Sequence, residues 1–250
     1  MPRMIETFSL SKQYGDFKAV EDLSLSVAKG EVFGFLGPNG AGKTTTILML
    51  MGILAPSSGR GAIGGLDCFK DRVEVKRMVG FLPDNPVFYD FLRGRELLEF
   101  VAQMHGFPFR EAQRRAGTLL GELGLEEVSE EFAVNYSMGM KRRLGLACAL
   151  VHDPEVLILD EPTNGLDPRA SKEVQERLIN QARGGKTIFL STHLLDMAER
   201  ICSRVGIIYR GKLVVSGSLD EVKSNIVSGG SLEKVFLEVT RGEEPMDAGK

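Results

Sequence analysis

Gly37-Pro38-Asn39-Gly40-Ala41-Gly42-Lys43-Thr44 is the stretch on which the fold turns. It matches G-x-x-x-x-G-K-[ST], and its flanks are those the pattern's chemistry requires. Before it, Glu31 to Leu36 (EVFGFL) is a short apolar run of the buried-strand type. After it, a segment from about Gly42 to Met51 reads as a helix, closed by Gly52 and Pro56. Glycines let backbone N–H groups turn inward, and the helix start adds positive potential, so the loop is a cradle for phosphate. On this pattern Lys43 reaches the β and γ phosphates of a nucleoside triphosphate, and the Thr44 hydroxyl ligates Mg2+.

Outward from the loop, Met4 to Leu10 and Ala19 to Val27 read as strands, and the turn signal Ala28-Lys29-Gly30 predicts a β meander. Val79 to Leu82 is a further short strand, ended by Pro83. Leu92 to His105, Arg110 to Leu123 and Ser137 to His152 then show helical spacing with little strand propensity. Strand signals resume at Val156 to Leu159, Thr187 to Leu190, Val205 to Tyr209 and Leu213 to Val215. Helices are expected between them at Arg169 to Arg183 and Leu194 to Ile201. Strand–helix alternation implies an α/β core with a largely parallel sheet, interrupted by an all-helical insert over about residues 84–150. Ser231 to Thr240 places Leu232, Val235, Phe236 and Val239 on one helical face. The polar stretch Arg241 to Lys250 reads as a frayed tail.

Composition narrows the class. The 250 residues carry 31 Lys+Arg against 34 Asp+Glu, a net charge of −3 that makes no general case for nucleic acid. The longest apolar run, Ile47 to Leu54, is broken by Gly52 and falls far short of the ~20 residues of a membrane span. No charged-then-apolar leader opens the chain. Cys68, Cys148 and Cys202 lie far apart among apolar neighbours and read as core thiols of a reducing compartment.

Val156-Leu157-Ile158-Leu159-Asp160-Glu161 is an apolar strand ending in two carboxylates. Its C-terminal end should open on the ligand crevice of a parallel sheet. There Asp160 is placed to hold the Mg2+ shell, and Glu161 to act as general base on the water that attacks the γ phosphate. His193 follows another strand, and its position suggests a γ-phosphate sensor.

With these residues in view, the chain resembles an ATP-binding cassette (ABC) transporter ATPase over about residues 4–225. Tyr14 stands where that family has an aromatic that stacks on adenine, and Val20 and Thr45 join the nucleotide-binding set that the resemblance implies. Tyr136-Ser137-Met138-Gly139-Met140-Lys141-Arg142-Arg143 resembles the family signature LSGGQ, and Asn164-Gly165-Leu166-Asp167 resembles its D-loop. The resemblance implies Mg2+-dependent ATP hydrolysis, with Lys43, Glu161 and His193 catalytic. It also implies a head-to-tail dimer, homodimeric or heterodimeric, in which Ser137, Gly139 and Asp167 serve the partner's nucleotide. It further implies a separate membrane permease, and a place on the cytoplasmic face of the membrane.

The stretch SLEKVFLEVT resembles the end of exporter ATPases of the ABC-2 type. Asp84 stands where the family usually has Gln, as an oxygen ligand for Mg2+ or water. Met138 replaces the first signature glycine, where a side chain crowds the approach to phosphate. The aromatic segment Pro86 to Leu92 is expected to receive a permease helix. Domain organisation on this reading is an ATPase domain over 1–225 and a helix with tail over 226–250. The alternatives fit less well. Soluble relatives acting on nucleic acid or ribosomes usually carry two cassettes or a long coiled coil, and a phosphate-loop kinase leaves the signature unexplained.

Overall fold

The structure is a computed structural model that describes residues 2–226 and 231–241; the remainder of the expected polar tail lies outside the described residues. Strands β1 (Arg3–Tyr14) and β2 (Phe17–Ala28) form a long hairpin whose turn is Gly15-Asp16. Gly15 takes a φ of 55°, left-handed and free of penalty only without a Cβ. Strand β3 (Val32–Leu36) does not continue this antiparallel run, so the expected meander is not formed. All five of its residues are buried, and a strand buried on both faces belongs inside a parallel sheet.

The remaining elements follow in order. Helix α1 (Lys43–Leu50) leads to β4 (Ser58–Ile63), β5 (Leu66–Asp67), helix α2 (Arg72–Met78) and strand β6 (Val79–Leu82). Next come the helices α3 (Gly94–Met104) and α4 (Phe109–Glu122), a 3-10 turn (Ala133–Asn135) and helix α5 (Met138–Leu150). Strand β7 (Val156–Asp160), helix α6 (Pro168–Arg183), strand β8 (Thr187–Thr192) and helix α7 (Leu195–Ile201) come after it. The last elements are β9 (Arg204–Tyr209), β10 (Lys212–Ser218), α8 (Leu219–Ile226) and α9 (Leu232–Arg241).

Two sheets result, a four-stranded one in the order β2-β1-β4-β5 and a six-stranded one in the order β10-β9-β3-β8-β7-β6. In the larger sheet only β10 runs antiparallel, so the chain is α/β with a mixed, largely parallel sheet. Period-two alternation sorts its buried strands into two cores. Val32, Leu36, Leu157, Leu159, Ile188 and Leu190 face the helical layer, and Phe33, Phe35, Ile158 and Phe189 face the antiparallel sheet. Phe189 stacks on Phe33 at 5.7 Å between ring centroids.

This topology positions the site. β3, β6, β7 and β8 end on one edge in matched register: Leu36 pairs Thr192, Asp160 pairs Ser191, and Leu82 pairs Leu159. β4 was not anticipated because Ser58-Gly59-Arg60-Gly61 has no strand propensity. Gly59 is needed there because a Cβ would lie 2.1 Å from the Ser9 carbonyl oxygen.

Candidate active site

The phosphate loop connects β3 to α1 and is shaped by close approach. A Cβ on Gly37 would lie 2.4 Å from the Ile208 carbonyl oxygen, and one on Gly42 would lie 2.5 Å from that of Ala19. Gly42 also has φ 109°, and α1 starts on it with no side-chain cap. The first N–H groups of α1 are therefore left for an anion. Val20 is buried behind Gly42, its Cγ2 3.2 Å from that Cβ position, and supports the loop from the rear.

Lys43 is buried and donates to the Gly37 carbonyl at 2.7 Å and to that of Pro38 at 3.2 Å. Its ammonium is thus satisfied by the loop's own backbone. Thr44 Oγ1 donates to Asp160 Oδ2 at 2.7 Å, and Ser191 Oγ donates to Asp160 Oδ1. Burial raises the pKa of Asp160, and the charges of Asp84 and Glu161 add to that rise. Ser191 also accepts from the Glu161 backbone N–H, through its carbonyl at 3.1 Å and its hydroxyl at 3.2 Å.

Glu161 is held at φ 49°, a left-handed conformation uncommon for a residue with a Cβ. Its Oε1 is buried, 3.5 Å from Lys43 Nζ and 3.0 Å from His193 Nδ1, without hydrogen-bond geometry to either. The His193 backbone N–H donates to Glu161 Oε2 at 3.4 Å.

One cavity of about 290 Å³ joins these groups; Tyr14, Asn39, Gly40, Gly42, Lys43, Thr44, Thr45, Asp84, Asp160 and Glu161 line it. Gly37, Pro38, Ala41 and His193 are not on its lining. Phe17, which the sequence reading passed over, lines the cavity too. It faces Tyr14 across the hairpin turn, and both rings are exposed. Two aromatics flanking a Gly-Asp turn were the available signal.

Thr44, Asp160 and Asp84 offer only oxygen donors, which suits a hard cation such as Mg2+. Among the described residues no group of three His, Cys, Asp or Glu could hold a metal unaided, so such an ion would share its ligands with a phosphate. The loop's inward glycines and the poised Lys43 fit a polyphosphate in the same way.

Ser137, Gly139 and Asp167 do not join this cavity. Ser137 caps α5, its Oγ accepting from the Met140 N–H at 3.2 Å, and Asp167 caps α6, accepting from the Ala170 N–H at 2.9 Å. Met138 begins α5 with a right-handed helical backbone and an exposed side chain, so a Cβ is accommodated there. Its Sδ lies 2.5 Å from where a Cβ on Gly165 would sit, so the thioether covers that D-loop glycine. Asp84, Asn85, Pro86, Met138, Lys141, Arg142 and Asn164 line a second cavity of about 400 Å³. Asp84 is the wall the two cavities share. On the loop between β6 and α3 Val87, Tyr89 and Phe91 are exposed, and Tyr89 meets Phe100 of α3 edge-on at 6.2 Å.

The cysteines are mixed: Cys68 and Cys202 are buried and Cys148 half-buried, and burial pushes all three thiols up to about 12.

The chain is similar to known proteins. A family profile described as ABC transporter matches residues 20–164. The bacitracin transport ATP-binding protein BcrA of Bacillus licheniformis is 42% identical over 89% of this chain and 72% of its own length. The daunorubicin resistance ATP-binding protein DrrA3 of Streptomyces coeruleorubidus is 39% identical over 90% of this chain and 71% of its own. A solved structure of an ATP binding subunit of an ABC transporter superposes with a TM-score of 0.88 at 34% identity, covering 94% of this chain and 99% of that one.

Proposed function

Because the chain belongs to the ABC transporter family, whose ATP-binding cassettes are ATPases, we propose that it is the ATP-hydrolysing subunit of an exporter, working with a permease on another chain. The observation that carries this reading is a separation. Lys43, Thr44, Asp160 and Glu161 share one cavity, whereas Ser137 and Gly139, at the capped start of α5, do not line it. A helix start bearing a signature but serving no phosphate of its own chain fits a head-to-tail dimer, in which it meets the partner's nucleotide.

ATP is bound by the loop N–H groups, with its adenine against Tyr14. Lys43 turns from the Gly37 and Pro38 carbonyls to the β and γ phosphates, exchanging neutral acceptors for charged ones. Thr44, Asp160 and Asp84 would hold Mg2+, which supplies charge neutralisation at the phosphate oxygens. Glu161 takes a proton from the attacking water, whose oxygen bonds to the γ phosphorus as the bond to the ADP oxygen breaks. His193 keeps the Glu161 carboxylate aimed. Asp167, on the D-loop side, and the start of α5 would lie at the dimer seam.

Among the described residues no helix is long and apolar enough to cross a membrane. Membrane attachment would come through the permease, at the cytoplasmic face. The exposed Tyr89 and Phe91 provide an apolar surface for a permease helix. The exporter direction draws on relatives named for bacitracin transport and daunorubicin resistance.

Light scattering and turnover assays on Glu161→Gln test the reading. The variant should bind ATP, dimerise in it, and lose at least ~10²-fold in hydrolysis. A monomer at all ATP concentrations, or near-normal turnover, sinks it.

A further inference from the structure

Arg142 lies on α5, one turn into the helix, and is buried at 3% exposure. A buried guanidinium needs partners for its donors and its charge. Its Nη1 donates to the Pro83 carbonyl at 3.2 Å and to the Asp160 carbonyl at 3.3 Å, and its Nη2 donates to Asp84 Oδ1 at 3.2 Å. Asn164 Nδ2 reaches the same Asp84 oxygen at 3.3 Å, while Arg142 Nε has no partner. Among the described residues Asp84 is thus the one carboxylate paired with Arg142, and its side chain remains 48% exposed on the wall between the two cavities.

We propose that Arg142 is a positioning residue that competes with the bound divalent cation for the Asp84 carboxylate, so that cation–nucleotide binding and the anchoring of α5 oppose each other. The inference rests on the reading of Asp84 as a residue that turns to the metal. One carboxylate cannot give the same oxygen fully to a guanidinium and to a cation. While Arg142 holds Asp84, α5 is tied to the ends of β6 and β7 through Pro83, Asp84 and Asp160. When Asp84 turns to the cation, Arg142 retains only neutral carbonyls, and α5 loses its one charged link to the strand ends. Linkage makes the effect reciprocal: whatever draws α5 away also frees Asp84 for the cation. A Gln at position 84 would carry no charge for Arg142 to hold, so the device depends on the Asp–Arg combination that this chain carries.

The test measures ATP affinity with Mg2+ and with EDTA, by calorimetry on full-length chains carrying Glu161→Gln so that no turnover intervenes. The readout is the ratio of the two dissociation constants. Arg142→Gln should raise the Mg2+ enhancement about fivefold, the worth of a partly exposed ion pair. Asp84→Asn should lower the enhancement, and the double variant should match Asp84→Asn alone. A purely structural role for Arg142 would shift both constants together and would not depend on Asp84. If Asp84→Asn lowers the enhancement but Arg142→Gln leaves it unchanged, the competition is refuted while the metal role of Asp84 stands. If Asp84→Asn has no effect, the metal role itself fails and the competition falls with it. Should Arg142→Gln not fold, Arg142→Lys decides. Its point charge lacks the fork that holds Asp84 and the two carbonyls together, so the enhancement should rise by at least about twofold, and an unchanged ratio overturns the proposal.

Discussion

Thr44 Oγ1 donates a 2.7 Å hydrogen bond to Asp160 Oδ2, joining the first turn of α1 to the end of β7 across 116 positions of sequence. Ser191, on β8 between β3 and β7, holds the other oxygen of the same carboxylate. Three neighbouring strand ends thus converge on a buried anion whose pKa is raised by desolvation. Such a group opposes folding at neutral pH. Its folded pKa lies above its unfolded one, so protonation recovers stability as pH falls through the folded value.

Asp160→Asn should therefore leave the nucleotide-free chain at least as heat-stable as the parent at pH 7. It should weaken Mg2+-dependent ATP binding by at least about tenfold, the range for a lost ligand or its support. Thermal melts with and without Mg2+ and ATP check both halves, and a melting point several degrees lower without nucleotide would contradict the account.

Tyr14 and Phe17 stand opposite each other beside the phosphate loop. Replacing either by Ala should weaken ATP binding by about threefold to tenfold, the worth of an aromatic contact, and should leave tripolyphosphate binding unchanged. Equal losses for both ligands would show that the rings shape the loop instead of meeting the base.

Tyr89 and Phe91 are solvent-exposed, their ring centroids 5.7 Å apart. Tyr89→Glu and Phe91→Glu should leave the basal ATPase rate of the isolated chain within about twofold, because neither ring touches the nucleotide cavity. Recovery of the chain with detergent-solubilised membranes of its own cells should fall sharply. Undiminished recovery would move the permease contact elsewhere.

Met138 covers Gly165 from a helical position, so its side chain is tolerated by the fold. In the proposed head-to-tail dimer it would add bulk where a close backbone approach is needed. Met138→Gly should raise steady-state turnover, most at low protein concentration where association limits the rate. A rate that is unchanged or lower at every concentration would mean that the thioether does not crowd the seam.

His152 stacks on His105 with ring centroids 3.7 Å apart, and neither of its ring nitrogens has a hydrogen-bond partner. Burial lowers its pKa from 6.5 to about 4, with the His105 ring and Lys186 contributing and the Val79 carbonyl and Asp153 opposing. The folded state resists a proton that the unfolded state accepts, so stability is full above pH 6.5 and falls as pH drops toward 4. With a discount for partial exposure, about 1 kcal/mol should be lost between pH 7 and pH 5. Urea midpoints at the two pH values measure it, and His152→Leu should flatten the difference.

Sequence alone was sufficient for the local chemistry. The loop Gly37–Thr44, the apolar strand ending in Asp160 and Glu161, and the cap at Ser137 are written in contiguous residues, because backbone curvature, strand burial and helix capping each depend on a few neighbours. Long periodic helices were legible for the same reason, whereas β4 was not: Ser58-Gly59-Arg60-Gly61 is a strand only because β1 lies beside it. Tertiary structure alone decided which chemistry meets. Parallel register put Thr44, Asp160 and Ser191 together, and packing of the β1–β2 hairpin beside the phosphate loop set Phe17 with Tyr14 on the same cavity. It also drove Arg142 beneath Asp84, 58 positions away, where the cost of burying a guanidinium selects a carboxylate partner that no local pattern names.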